Sequence, residues 1–355
     1  MAELKKRFRV KRMADREGPL RILVLDLGAN STRVVEMERL RGAVAWTQAL
    51  ELAPANEDYT FGAERKTLNQ LFGEHHIHGD YVAVLIGTGA GMFRLIHFPG
   101  RPADDAILLQ QVRQTMGVAD DQEVRCRLLP PPTQPEKAGK PEFAVMAAAM
   151  PEEVVRKTYD WLIGSGLTPV SLQVPGVAVA NLVGAAAGQV SAQHSVGFLE
   201  LSTRTSLLMI LDEGDLALAR QFKFGNGVVL EKLKSQFELD QGTALKFYES
   251  GSFDFSADVK PLMNPWLHQL SISLDYFERR SGHPVSSLFL FGSGSCSKVV
   301  EQILAEYIRR PLAAWEPLSA LPAGLALPAH AQVAKPAVFA AAVAEGLRLM
   351  RVGGA

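Results

Sequence analysis

Leu25-Asp26-Leu27-Gly28-Ala29-Asn30-Ser31-Thr32 lines up with Leu199-Glu200-Leu201-Ser202-Thr203-Arg204-Thr205-Ser206 at a constant offset of 174 residues. Each copy is an apolar run, an acid, a turn of small residues and then a second apolar run (34–37 and 207–211). A pattern repeated at such a distance predicts two similarly built halves. In the first copy residues 21–25, 32–37 and 43–50 read as three strands joined by tight turns. The second copy continues with a third strand over 217–224. Backbone N–H groups at a glycine-containing turn, with Asn30, Ser31 and Thr32 as side-chain donors, suit phosphate oxygens. An acid at the strand end, here Asp26, suits the water shell of a metal beside those phosphates.

Working outward from the first copy, a helix is expected over 63–72 and a strand over 81–86. Gly87-Thr88-Gly89-Ala90-Gly91 follows that strand. Its third glycine is misplaced for a dinucleotide loop, and no clean helix or distal acid follows, so it reads as a turn between domains. Residues 92–174 read as one α+β module of strand, helix (104–116), two strands, helix (152–164) and strand. Both helices show the three-to-four-residue apolar spacing that buries one face. The Pro-, Lys- and Gly-rich stretch 130–141 inside the module reads as an exposed loop. After the second copy come helices over 228–237, 241–248 and 265–280, a buried strand over 287–291, Gly292-Ser293-Gly294-Ser295, and a helix over 298–308.

The 355 residues are 47% apolar and 21% charged, which suits two or three packed domains and argues against wholesale disorder. No window approaches the roughly 18 apolar residues of a membrane-spanning helix, and the N-terminus has no apolar stretch of a secretory signal. Two cysteines exclude a disulfide framework and give a reducing, cytoplasmic address. Residues 1–19 hold seven bases against three acids and read as a disordered leader that would suit an anionic lipid surface. The remainder carries 30 bases and 35 acids, too acidic a balance for nucleic-acid binding.

In this order, the hairpins and glycine loops carry a resemblance. The chain resembles the actin-like ATPase superfamily, and within it the PilM family of type IV pilus assembly proteins, with FtsA a more distant relative. The stretch 21–36 is similar to that family's opening strand and phosphate hairpin. Phe93-Arg94-Leu95-Ile96-His97-Phe98-Pro99 resembles the strand opening its inserted subdomain, and 145–174 its closing elements. Phe224-Gly225-Asn226-Gly227 resembles a glycine turn of the second lobe, and Ala244-Leu245-Lys246 a nucleotide-side helix. Ser273-Leu274-Asp275-Tyr276-Phe277 is similar to a family helix motif. Leu290-Phe291-Gly292-Ser293-Gly294-Ser295 resembles the adenosine loop and Val343-Ala344-Glu345-Gly346-Leu347 the closing helix.

The resemblance implies an α/β, two-lobed actin-like fold with an α+β subdomain inserted in the first lobe. The implied domains are 20–90 with 336–352 (first lobe), 91–174 (inserted subdomain) and 175–335 (second lobe). ATP and magnesium are the implied cofactors. Gly28, Ala29, Asn30, Ser31, Thr32, Thr203, Gly225, Lys246, Gly292, Ser293 and Gly294 would hold the nucleotide, and Asp26 the metal through water. Asp26, Gln173 and Glu200 are the catalytic candidates. The implied function is that of a cytoplasmic adaptor of a type IV pilus or type II secretion-like inner-membrane platform. It would bind a cytoplasmic peptide of a PilN-like membrane protein by strand pairing and side-chain pockets. The expected walls are the 94–99 edge and the helix over 104–116.

Departures from the family pattern lower the expected chemistry. Glu200 and Ser202 stand where the second hairpin carries Asp and Gly, Gln173 where acids are usual, and Arg33 where Lys is frequent. Misplacement by ~1 Å costs about 100-fold in rate, so weak nucleotide binding and slow or absent turnover are expected. Alternatives are a phosphotransferase on the same superfold and an FtsA-like, membrane-held filament former, and a homo-oligomer is compatible with either. His75, His76 and His78, with Glu74 and Asp80, lack recognised metal-ligand spacing and read as a solvent loop.

Overall fold

A computed structural model describes residues 21–40, 43–87, 89–100, 104–131, 143–186, 195–251, 253–292, 294–295, 297–315 and 336–350. Thirteen strands and nine α-helices occur among them. In chain order they are β1 (Arg21–Gly28), β2 (Thr32–Leu40), β3 (Ala43–Leu52), α1 (Leu68–Glu74), β4 (Tyr81–Gly87) and β5 (Met92–Phe98). Next come α2 (Asp105–Met116), β6 (Gln122–Leu128), β7 (Phe143–Pro151), α3 (Glu152–Gly164), β8 (Thr168–Gln173) and α4 (Pro175–Ala186). Then follow β9 (Val196–Leu201), β10 (Ser206–Asp212), β11 (Asp215–Phe222), α5 (Asn226–Phe237), α6 (Gln241–Ser250) and α7 (Ser256–Ser281). The last are β12 (Ser287–Phe291), α8 (Lys298–Ile308), β13 (Leu312–Ala314) and α9 (Ala340–Met350). The basic arm, Thr88, Ser293, Cys296 and most of the Pro-rich loop lie outside the described residues. Among the described residues no helix is long and apolar enough to cross a membrane.

The chain divides into two compact units, one drawn from residues within 1–90, 151–179 and 321–355, the other from 91–150 and 180–320. The first unit holds a five-stranded sheet in the order β3-β2-β1-β4-β8. β1–β2 and β2–β3 are antiparallel, β1–β4 and β4–β8 parallel. The interiors of β1 and β4 are buried throughout, as their apolar runs dictate, and in β1 the burial takes in Asp26 as well. α1 begins at Leu68, later than its apolar spacing suggests. Thr67 and Gln70 close a reciprocal capping box there and fix the first turn. α9 packs on β1 and β2, and Gly346 makes that approach, since a Cβ there would overlap the Met37 sulfur.

The second unit's sheet runs β13-β12-β9-β10-β11-β5-β7-β6. Read from β11, its first five strands repeat the first unit's order and directions: β9–β10 and β10–β11 antiparallel, β9–β12 and β12–β13 parallel. The hairpins repeated at offset 174 therefore sit in the same five-strand arrangement in both units, and β5, β7 and β6 extend only the second. α7 starts at Ser256 rather than at Pro265, and carries Pro261 and Pro265 internally. Each interior proline costs about 3 kcal/mol. Burial of Val259, Met263, Trp266, Leu267, Leu270, Leu274 and Phe277 along one stripe offsets it.

The stretch 91–174 is divided by the structure, where the sequence suggested one module. β5, α2, β6 and β7 form a small α+β layer around Ile96, Leu108, Val112, Met116, Val124 and Val145. This layer continues the second unit's sheet through β5 and β11, at Arg94 opposite Arg220. α3 and β8 instead complete the first unit, where β8 pairs in parallel with β4. Long-range pairing decides this, and strand periodicity carries no record of partners.

Candidate functional site

The two hairpins close in the same way. Gly28 donates its N–H to the Ser31 carbonyl at 3.0 Å, and Ser202 donates to the Thr205 carbonyl at 3.0 Å, the same pair 174 residues on. A Cβ at Gly28 would lie 2.7 Å from the Ser31 oxygen, so that turn needs glycine. Ser202 accommodates its Cβ and adds a hydroxyl bond to the Thr205 carbonyl at 2.9 Å. Thr32 and Ser206, also equivalent, are both fully buried, and neither hydroxyl finds a hydrogen-bond partner among the described residues. Ala29 is half-buried and Asn30 is exposed at the tip of the first turn.

Charge distinguishes the copies. Asp26 is opposite Arg33 across β1 and β2, and Arg33 Nη1 donates to its Oδ2 at 3.2 Å. Burial pushes the Asp26 carboxyl above its ordinary range, the Arg33 guanidinium opposes that rise, and Glu51 adds to it. Ser31 Oγ donates to Glu51 Oε1 at 2.7 Å. In the second copy Glu200 is half-buried and opposite Leu207. The guanidinium of the first hairpin thus has no counterpart in sequence.

A carboxyl whose folded pKa is raised contributes stability that is present at low pH and is lost as pH rises through that value. In Arg33→Gln both opposing influences of the guanidinium vanish, so Asp26 should titrate still higher than in the parent. The variant should then be less stable at neutral pH, with the gap narrowing on acidification. Carboxyl-carbon NMR titration with urea melts at pH 7 and pH 5 checks this. A lower Asp26 pKa in the variant would contradict it.

In the second unit three backbone segments meet. Asn226 and Gly227 donate their N–H groups to the carbonyls of Ser202 (3.0 Å) and Thr203 (2.9 Å), and Gly294 donates to Leu201 (2.7 Å). Side chains cannot be added there. A Cβ at Gly227, Gly292 or Gly294 would lie within 2.7 Å of the 201–203 segment, and one at Gly225 would overlap the backbone of Ser202 and Thr203 outright. These glycines let loops approach the hairpin itself. The N-terminal N–H groups of α5 are consequently occupied by the protein's own carbonyls, which removes the anion-binding capacity of a free helix start. Asn226 is buried, and its side-chain oxygen has no hydrogen-bond partner among the described residues.

Two expected residues have other surroundings. Gln173 donates its amide nitrogen to Glu345 and, at 3.1 Å, to Ser171. Glu345 is fully buried and doubly bound by Arg348, at 2.7 and 2.9 Å. Lys246 is exposed on α6. The residue of α6 that reaches the Gly294 loop is Tyr248, buried, with its hydroxyl donating to the Gly294 carbonyl at 2.5 Å. A buried phenol needs such a partner, and that need was the available signal.

The implied cofactors fit unequally. In the first hairpin the Gly28 N–H bonds the Ser31 carbonyl, the Ser31 hydroxyl bonds Glu51 and the Arg33 guanidinium bonds Asp26, so phosphate oxygens would have to compete for these donors. Magnesium fits poorly, because Arg33 already holds one Asp26 oxygen. Among the described residues no group of three or more His, Cys, Asp and Glu side chains is placed to hold a metal ion. His75, His76 and His78 are exposed.

Among solved structures, the chain matches one from the PilM-PilN type IV pilus biogenesis complex. The match covers 93% of this chain and 98% of that one, with 19% identity and a TM-score of 0.74. The fold is actin-like, in the PilM form. A Bacteroides thetaiotaomicron protein with an actin-like ATPase fold matches at 10% identity over 85% and 95% of the two chains, TM-score 0.49. The cytoplasmic domain of EpsL, from the type II secretion system of Vibrio cholerae, matches at 10% identity over 92% and 95%, TM-score 0.39. No protein-family model and no curated protein matches the chain.

Proposed function

We propose that the chain is an adaptor at the cytoplasmic side of a type IV pilus assembly platform, receiving a short peptide of a PilN-like membrane protein. One observation carries this reading: the nearly end-to-end match, at a TM-score of 0.74, to a chain of the PilM-PilN complex. Nucleotide binding is secondary, confined to phosphate contacts at the first hairpin, and turnover is slow or absent. Consistent with that, Arg33 engages Asp26, and the α5 start and the Gly294 loop bond to backbone carbonyls.

The expected peptide wall at 94–99 needs correction. β5 is paired along its length with β7 and meets β11 at Arg94, so it is interior to the sheet. Among the described residues, the strand edge of this layer without a neighbouring strand is β6, beside α2. Strand addition supplies backbone hydrogen bonds, and alternate side chains supply specificity. The test is a titration of the full chain into a fluorescently labelled peptide copying the cytoplasmic segment of the PilN-like protein of the same organism. Saturable binding, lost with a scrambled peptide, is expected. Equal responses to both peptides would refute the adaptor reading.

A further inference from the structure

Glu51 sits against two donors of the first hairpin, Ser31 and Arg33. It is directly opposite Arg33 in the β2–β3 ladder, so its position follows from strand register. Its Oε1 accepts the Ser31 hydroxyl at 2.7 Å and stands 3.5 Å from Arg33 Nε. A hydroxyl and a guanidinium converging on one anionic oxygen are the donors a phosphate would use. The side chain of Glu51 is 51% exposed, against 12% for Arg33 and 10% for Asp26. Asp26 and Arg33 therefore form the fixed pair, and Glu51 is the member that can swing into water.

We infer that Glu51 is a built-in competitor of phosphate at the first hairpin, setting the affinity of this unit for nucleoside di- and triphosphates. The inference rests on the reading of that hairpin as a phosphate cradle. With Glu51 in place, one guanidinium faces two carboxylates, and the excess negative charge repels a phosphate. When Glu51 withdraws, the Ser31 hydroxyl is freed and Arg33 Nε, which has no hydrogen-bond partner among the described residues, loses its ion pair, while Arg33 stays on Asp26. The protein thus carries its own weak inhibitor of nucleotide binding, displaced only by a ligand that offers more charge at the same spot.

The experiment is calorimetric titration of the full chain with ADP and with magnesium-ATP, in the parent and in Glu51→Gln, Glu51→Ala and Glu64→Gln. Glu64 is a well-exposed acid elsewhere in the first unit, so its variant reports the effect of net charge alone. Removing a like charge next to the phosphate should tighten binding about tenfold in both Glu51 variants. Glu64→Gln should match the parent. Thermal melts establish that all four chains fold. Equal affinities in all four would overturn the inference and leave nucleotide binding standing. No binding by any chain at millimolar ligand would overturn both, leaving the peptide-adaptor reading to its own titration.

Discussion

Gly225→Ala is expected to destabilise the second unit by about 3 kcal/mol, the upper range for overpacking. The methyl group would fall on the carbonyl of Ser202 and on the carbonyl carbon and oxygen of Thr203. Backbone atoms cannot swing aside as a side-chain terminus does. Those atoms are further held by Asn226 and Gly227, whose N–H groups donate to the same carbonyls. Gly117→Ala is the matched control in the same unit. Its φ of +64° makes alanine strained, but nothing lies within 4 Å of the added carbon, so a cost of about 1 kcal/mol is expected. Urea melts of both variants decide the point. A Gly225→Ala cost no greater than that of Gly117→Ala would show that the 201–203 and 225–227 segments are not packed as described.

Arg348→Ala is the second large effect, about 3 kcal/mol in the first unit. Glu345 has no solvent exposure and takes two bonds from Arg348 and one from Gln173. Without the guanidinium its charge is left buried with a single amide. Glu345→Gln should cost less, because a neutral amide can keep hydrogen bonds to both neighbours. If Arg348→Ala and Glu345→Gln proved equally mild, the network would be ornamental. Gln173 would then be free for another role.

The organisation was legible in sequence because it is written locally. An apolar strand, an acid and a small-residue turn recur at offset 174, and each fixes a hairpin without reference to distant residues. α3 was legible for the same reason: acids open it, and the apolar spacing runs to its end. What escaped depends on remote partners. β13 is three residues long and exists only through pairing with β12. The interior position of β5 depends on β11, more than a hundred residues away. The glycines at 225, 292 and 294, expected on the nucleotide side, also lie against the 201–203 segment, a contact that only the folded chain brings about. For Gln173, the deciding residue was Glu345 on the last helix.

The titration of the full chain with the PilN-like cytoplasmic peptide tests the central claim most directly, run with and without magnesium-ATP while phosphate release is followed. The account predicts saturable peptide binding in both conditions and phosphate release no faster than a protein-free blank. Peptide binding that appears only while ATP is being hydrolysed would contradict it. The chain would then be a turning-over ATPase rather than an adaptor whose hairpin donors are largely engaged from within.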